Sequence, residues 1–205
     1  MSYAIYVFDC ETTGLDPQIN DIIEISFLRL SDGEQKTWCL KPLNPLEISD
    51  GALKVNGHKR EDILWQTPVG RETYKEPKEI VPEIEAWIIS DGSPIEDRVL
   101  VGQNVKFDYD FSKELWAKTE AADSYPFKEF LIDTMQIARF IDLCTEKKRA
   151  RYNLGSLVKD FGITKAKAHR AEGDVKMTKD LFLAQFNPIK EFLASTFMDK
   201  YTESK

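Results

Sequence analysis

Cysteine is scarce in this sequence, and the few residues present do not form a pattern. Cys10, Cys39 and Cys144 are scattered, odd in number and without metal-ligand spacing, which fits free thiols in a reducing compartment better than a disulfide framework. Long apolar runs are missing, so no segment reads as a bilayer span. The chain opens in a strand-like stretch with no basic segment ahead of an apolar one. A secretory signal is therefore not expected, a cytoplasmic location is, and no membrane partner is implied. Internal repeats and low-complexity tracts are also lacking. Excess positive charge is absent too, the formal net charge being −7. That counts against a protein that tracks a long duplex, because phosphate contacts then carry the affinity. The objection weakens for a protein that grips only the last few nucleotides of a strand, where cations held by acidic residues supply local positive charge.

What is present describes a folded domain. The 205 residues are 42% hydrophobic and 31% charged, a balance that supports one sizeable core and argues against disorder. Tyr3 to Phe8 is an unbroken apolar and aromatic run, the pattern of a central strand covered on both faces, with Asp9 at its end. Ile22 to Leu30 and Lys36 to Leu40 read as two further strands around the turn Ser31-Asp32-Gly33. Ser49 to Val55 reads as a short helix ended by Asn56-Gly57, and Thr67 to Lys75 as a loop. Ile80, Ile84, Trp87 and Ile88 make a helical stripe. Val99 to Gly102 is a buried strand followed by a helix over Phe107 to Ala117, and Phe130 to Ile132 a fifth strand. Asp133 to Gln136 resembles a capping box. Helices follow over Leu154 to Phe161 and Glu172 to Phe186, and after Asn187-Pro188 a last amphipathic helix carries Ile189, Phe192, Leu193 and Phe197. Three strands, then alternation, then helices imply a mixed α/β sheet with helices on its faces.

The chemistry sits in three acidic segments. Asp9 and Glu11 stand two apart at the end of a buried strand, a spacing that aims both carboxylates to one side of a sheet. Like charges so close repel unless a cation lies between them. The same D-x-E pattern also occurs by chance in solvated turns. Asp108 lies at the mouth of a helix, where interaction with the helix dipole is by itself sufficient explanation. His169 and Asp174 are five residues apart, about 140° around a helix, and share one face only if His169 precedes the helix. An imidazole placed there suits a general base for an attacking water, although a lone histidine among basic residues is more often at the surface. Two-metal phosphodiester hydrolysis needs such a set of carboxylates converging on ions about 3.5–4 Å apart.

Taken together, Asp9-Cys10-Glu11-Thr12-Thr13-Gly14, Asn104-Val105-Lys106-Phe107-Asp108 and His169-Arg170-Ala171-Glu172-Gly173-Asp174 resemble, in order, the motifs of the DEDDh branch of the DnaQ-like 3′–5′ exonuclease superfamily. The resemblance spans nearly all of residues 3–186. It implies an RNase H-like α/β fold with five mixed strands in the order 3-2-1-4-5, the second antiparallel to the rest, and helices on both faces. It further implies that Asp9, Glu11, Asp108 and Asp174 bind two Mg²⁺ or Mn²⁺ ions and that His169 is the general base. By analogy Thr12, Thr13 and Leu15 line the pocket for the terminal nucleotide, with Asn104 and Phe107 nearby. The expected product is a nucleoside 5′-monophosphate released from a DNA or RNA 3′ end, most simply a single-stranded one. Residues 1–186 would form the exonuclease domain. Residues 187–205 would pack on it or on a partner, either a second copy or a polymerase.

Gly173 departs from good helix composition, costing about 1 kcal/mol inside a helix, and so marks either the helix start or a place where backbone and ligand approach closely. His58 reads as a surface loop residue, Asp16 and Asp21 as members of a solvated loop, and Asp133 as a helix cap. Lys147, Lys148 and Arg149, with Lys165, Lys167 and Arg170, could contact substrate phosphates, though charge runs are usually solvated surface. Trp65, Trp87 and Trp116 are expected to pack in or near the core.

Overall fold

The computed structural model describes residues 3–163 and 171–202, with side chains to residue 196. Its centre is β1 (Ala4–Thr12), whose Tyr6, Val7 and Phe8 are all fully buried. Consecutive side chains of a strand point to opposite faces, so a strand buried at every position must be covered on both sides. β2 (Ile22–Arg29) pairs antiparallel to β1, and β3 (Gln35–Cys39) antiparallel to β2. On the other side β4 (Arg98–Gly102) and β5 (Leu131–Asp133) add in parallel. The order is β3-β2-β1-β4-β5, as the family resemblance implies.

One face of the sheet buries Tyr6, Phe8, Phe27 and Trp38 against α4 (Pro77–Ile89) and α5 (Val105–Lys118). Phe8 and Phe27 stack with ring centroids 4.8 Å apart. The opposite face sets Val7, Leu28, Val99 and Val101 against Val175 and Phe182 of α8 (Ala171–Thr202). Three short helices, α1 (Asp50–Asn56), α2 (Arg60–Ile63) and α3 (Pro68–Thr73), lie between β3 and α4 in the chain. α6 (Thr134–Thr145) and α7 (Leu154–Asp160) come before α8. Ser49 caps α1 and Gly57, at φ 73°, ends it in the left-handed conformation that glycine adopts without strain.

Several elements differ from the sequence reading. β1 does not stop at Asp9, because β2 keeps pairing with it through Glu11, opposite Glu24. The stretch read as a loop over Thr67 to Lys75 holds α3, with Thr67 accepting from the Gly70 N–H and Pro68 in the first turn, both helix-start signals. Asn187-Pro188 does not divide the last helix. Asn187 and Pro188 are exposed, so water can replace the one backbone bond that proline removes. Phe192 and Leu193 beyond it are 61% and 49% exposed. Gly173 falls in the first turn of α8, where its propensity cost is small.

Three polar residues read as surface groups are buried instead. Asp21 pairs with Lys118 at 2.9 Å and accepts from the Asn44 N–H. Arg149 is turned inward onto Asp142 and Asp160, which removes it from any phosphate-binding surface. His58 is 5% exposed, between Tyr74 and Glu24. Trp116 and Trp87 are buried and Trp65 partly so, as expected, while Asp133 caps α6 by accepting from the Met135 N–H.

A buried ion pair locks β4 to the end of α4. Arg98 bonds both Asp91 oxygens and the carbonyls of Ser93 and Pro126, and the Tyr6 hydroxyl donates to Asp91 at 2.6 Å. Burial alone would raise the Asp91 carboxyl, but bonds from Arg98, Tyr6 and the Ser93 backbone hold it below the usual range. Removing one member strands a buried charge. Arg98→Met is therefore expected to cost about 3–5 kcal/mol in urea unfolding, and a loss below about 1 kcal/mol would contradict this role.

Candidate active site

The alternation of β1 places Asp9 and Glu11 on the face covered by α8, in line with Val7, while Cys10 points to the opposite face with Tyr6 and Phe8. Asp174, in the first turn of α8, meets the two acids from above. One carboxylate oxygen from each of Asp9, Glu11 and Asp174 lies within 4.8 Å of the others. Three side chains from distant parts of the sequence thus converge at the end of the central strand.

Asp108 approaches from the other face. β4 stops pairing with β1 at Val7, so the next residues of β1 have an open edge. Gly102 makes the turn into α5 possible. A Cβ there would sit 2.9 Å from Val105 and 3.1 Å from the Phe8 carbonyl. One turn into α5, Asp108 fills the gap. Its Oδ1 accepts the Cys10 N–H at 3.0 Å and the Cys10 thiol at 3.2 Å. Asp108 is 4% exposed and near enough to raise the Asp9 carboxyl. It flanks the three-acid cluster rather than joining it at the same close range.

Burial dominates the electrostatics, with charge crowding second at Asp9. Asp9 is held well above the usual carboxylate range, first by burial and then by the charges of Asp108, Glu11, Asp174 and Glu24. Asp108 is pushed up to about 7 by burial, despite the bonds from Cys10 that favour its ionised form. The Cys10 thiol is raised by burial and by Asp108, which keeps its proton on sulfur and available to donate. All the donors are carboxylate oxygens, the set preferred by hard divalent cations such as Mg²⁺ and Mn²⁺. A cation among them would remove the repulsion that raises Asp9. The residues fit such an ion.

Beside the acids runs a cleft of about 660 Å³ between β1 and α1. Glu11 belongs to both, so the cleft opens directly onto the cluster. Of the residues expected to line a nucleotide pocket, Thr12, Leu15 and Phe107 do so. Leu15 is 84% exposed, an apolar side chain held out at the rim. Thr13 does not reach the cleft. It is fully buried and accepts from the Asp21 N–H at 2.9 Å, fixing the loop behind the site. Asn104 is exposed at the N-terminus of α5, its backbone at φ 58° and its N–H donating to Asp133, and it is not part of the cleft wall. The opposite wall is α1, through Ser49, Ala52, Val55 and Asn56. The sequence reading named none of these as site residues, although Ala52 to Gly57 resembles a family segment that in relatives lies near the substrate end. His169 lies outside the described residues, as do Lys165, Lys167 and Arg170. Lys147 and Lys148 border a separate cleft of about 550 Å³ with Arg139 and Tyr152.

Residues 6–182 match the exonuclease family RNase T. The chain belongs to that family. Among curated relatives of this exonuclease domain, the PolC-type DNA polymerase III of Thermotoga petrophila is 30% identical over 180 residues, covering 86% of this chain and 11% of the polymerase. The corresponding polymerase of Staphylococcus haemolyticus is 27% identical, covering 94% and 12%. The chain thus spans about a tenth of the length of these relatives. Among solved structures, the zinc-bound complex of E. coli exonuclease I with single-stranded DNA superposes with a TM-score of 0.73 at 19% identity, covering 95% of this chain and 43% of the other. Exonuclease I from Methylocaldum szegediense gives 0.71 at 18%, covering 94% and 43%. These structures establish the RNase H-like fold of the domain.

The raised acids carry a pH consequence for the exonuclease domain. A carboxyl at about 7 in the folded protein and 3.8 otherwise keeps its proton on folding through that interval. Folding is then favoured as pH falls through the window and loses this contribution as pH rises towards 7. Above it the ionised cluster repels itself and gains most from a cation. The rise in unfolding temperature on adding Mn²⁺ should therefore be larger at about pH 8 than at about pH 5.5. Equal increments would contradict the assignment.

Proposed function

We propose that this exonuclease domain removes nucleotides one at a time from 3′-hydroxyl ends and releases nucleoside 5′-monophosphates. The observation that carries the reading is the convergence of Asp9, Glu11 and Asp174 at the mouth of the cleft. In this reading the three acids, with Asp108 behind them, hold two Mg²⁺ or Mn²⁺ ions, which when bound supply Lewis-acid activation of water and neutralise charge on the phosphate.

The chain's own groups do the rest. Glu11 joins the cluster to the cleft, so a nucleotide seated against Thr12, Leu15 and Phe107 presents its phosphate to the acids. Leu15 and Phe107 offer apolar surface to the base and sugar, and α1 forms the opposite wall. His169, five residues before Asp174, serves as the general base that takes the proton from the attacking water. The net charge of −7 supports a grip on the strand end over a long duplex footprint. A single-stranded end is favoured by the fold shared with exonuclease I, whose E. coli form is bound to single-stranded DNA. The PolC-type relatives favour a polymerase as the partner of this domain. Catalysis is assigned to residues 1–186, which contain the family match, and residues 187–205 to packing or partner contact, with Phe192 and Leu193 exposed for it.

Digestion of 5′-labelled oligonucleotides with Mg²⁺ tests the reading. A ladder shortening from the 3′ end is expected, abolished by chelator and by a blocked 3′ terminus. Asp9→Asn and Asp174→Asn should each reduce turnover by orders of magnitude. His169→Ala should reduce it about 10²–10⁴-fold while leaving Mn²⁺ binding intact. Internal cuts on the blocked substrate would instead mean an endonuclease on the same fold.

A further inference from the structure

Behind the acid cluster lies a second buried polar layer that the reaction above does not use. Glu24 on β2 is 3% exposed and stands directly opposite Glu11 in the β1–β2 register. Residues paired this way project to the same face with Cβ atoms about 4.5–5.5 Å apart. The charge of Glu24 is felt by Asp9. The His58 side chain is wholly enclosed, with Nε2 3.2 Å from Glu24 Oε2 and Nδ1 2.5 Å from the Tyr74 hydroxyl. The imidazole thus lies between the Tyr74 hydroxyl and the Glu24 carboxyl, its Nε2 in close contact with Glu24 but outside hydrogen-bond geometry.

The histidine is also tied to the site through the backbone. Its N–H donates to the Asn56 side chain, and Asn56 Nδ2 donates to the Thr12 carbonyl at 3.1 Å. Asn56 and Thr12 both line the nucleotide cleft. The surroundings are otherwise apolar, with Ile23, Leu53 and Ile63 around Tyr74. A buried Glu–His contact in such a setting is a poor source of stability, since apolar residues of similar volume commonly do as well or better. Its position across from Glu11 gives it another use.

We propose that His58 and Glu24 are a positioning pair for the acid cluster: the imidazole fixes Glu24 across the sheet from Glu11, and the pair sets how tightly the site holds a divalent cation. The inference rests on the metal-binding reading of Asp9, Glu11 and Asp174. Partners behind metal ligands commonly change affinity by about 10–100-fold when removed.

Calorimetric titration with Mn²⁺ of the wild type, Glu24→Gln, His58→Gln and the double variant tests it, alongside thermal unfolding in chelator and in Mn²⁺. Each single variant should bind Mn²⁺ about tenfold more weakly or worse. The double variant should be no weaker than the worse single one, because both act through one contact. KM for a labelled oligonucleotide should stay near the wild-type value at saturating metal. Unchanged Mn²⁺ affinity in either folded variant, with unfolding temperature lowered equally in chelator and in Mn²⁺, would reduce the pair to packing and overturn the proposal. Additive losses would also overturn it. Glu24→Gln keeps the shape of the side chain, so it decides the matter if His58→Gln does not fold. A wild-type protein that takes up no Mn²⁺ would overturn the metal reading itself, and this inference with it.

Discussion

Several negative charges have to be held together at one point inside the protein, and most features of the fold can be read as answers to that demand. Carboxylates this close repel each other and resist burial, so they persist only where the surrounding structure fixes the backbone on which they stand. β1 provides that backbone. Its Tyr6, Val7 and Phe8 are sealed between two helical layers, and β2 holds it in register past the last buried aromatic, through Glu11. A strand so constrained cannot swing Asp9 or Glu11 away from each other without breaking the sheet.

The acids are supplied from both faces. α8 brings Asp174 over the side on which Asp9 and Glu11 point, and α5 brings Asp108 round the end of β4 from the other side. The second approach depends on the early end of β4. The strand edge left open at Cys10 would otherwise carry an unsatisfied N–H, and the Asp108 carboxylate takes it. One oxygen of Asp108 thereby does structural work for β1, while burial leaves the group near neutral pH in its titration. The shifted acids and the adjoining cleft have the same origin. The strand end that gathers the charges also leaves α1 standing off from β1, and Glu11 belongs to both the cluster and the cleft.

The central strand was legible from a local signal, whereas the strand order and the acid set were legible only through the ordered family motifs, each acidic segment having an ordinary explanation by itself. An unbroken apolar run is a central strand, and two acids two residues apart at its end must share a face. The three ordered motifs then tied Asp108 and Asp174 to that point. What sequence could not show depends on contacts between distant segments. His58, Asp21 and Arg149 are polar residues in stretches with no hydrophobic period, and their burial follows from Glu24, Lys118 and Asp142, which only the fold brings near. Thr13, just past the end of β1, is turned away from the cleft because its hydroxyl accepts the Asp21 N–H behind the site, a contact between segments eight residues apart. α8 runs on through Pro188, which stands at an exposed position and removes one backbone bond without ending the helix.

The most direct test of the central claim is crystallographic. A crystal of the protein soaked in Mn²⁺ should show anomalous density in contact with the carboxylates of Asp9, Glu11 and Asp174. The same soak of Asp174→Asn should lose most of it. A well-ordered site in the wild-type crystal with no such density, or density that survives unchanged in the variant, would contradict the account.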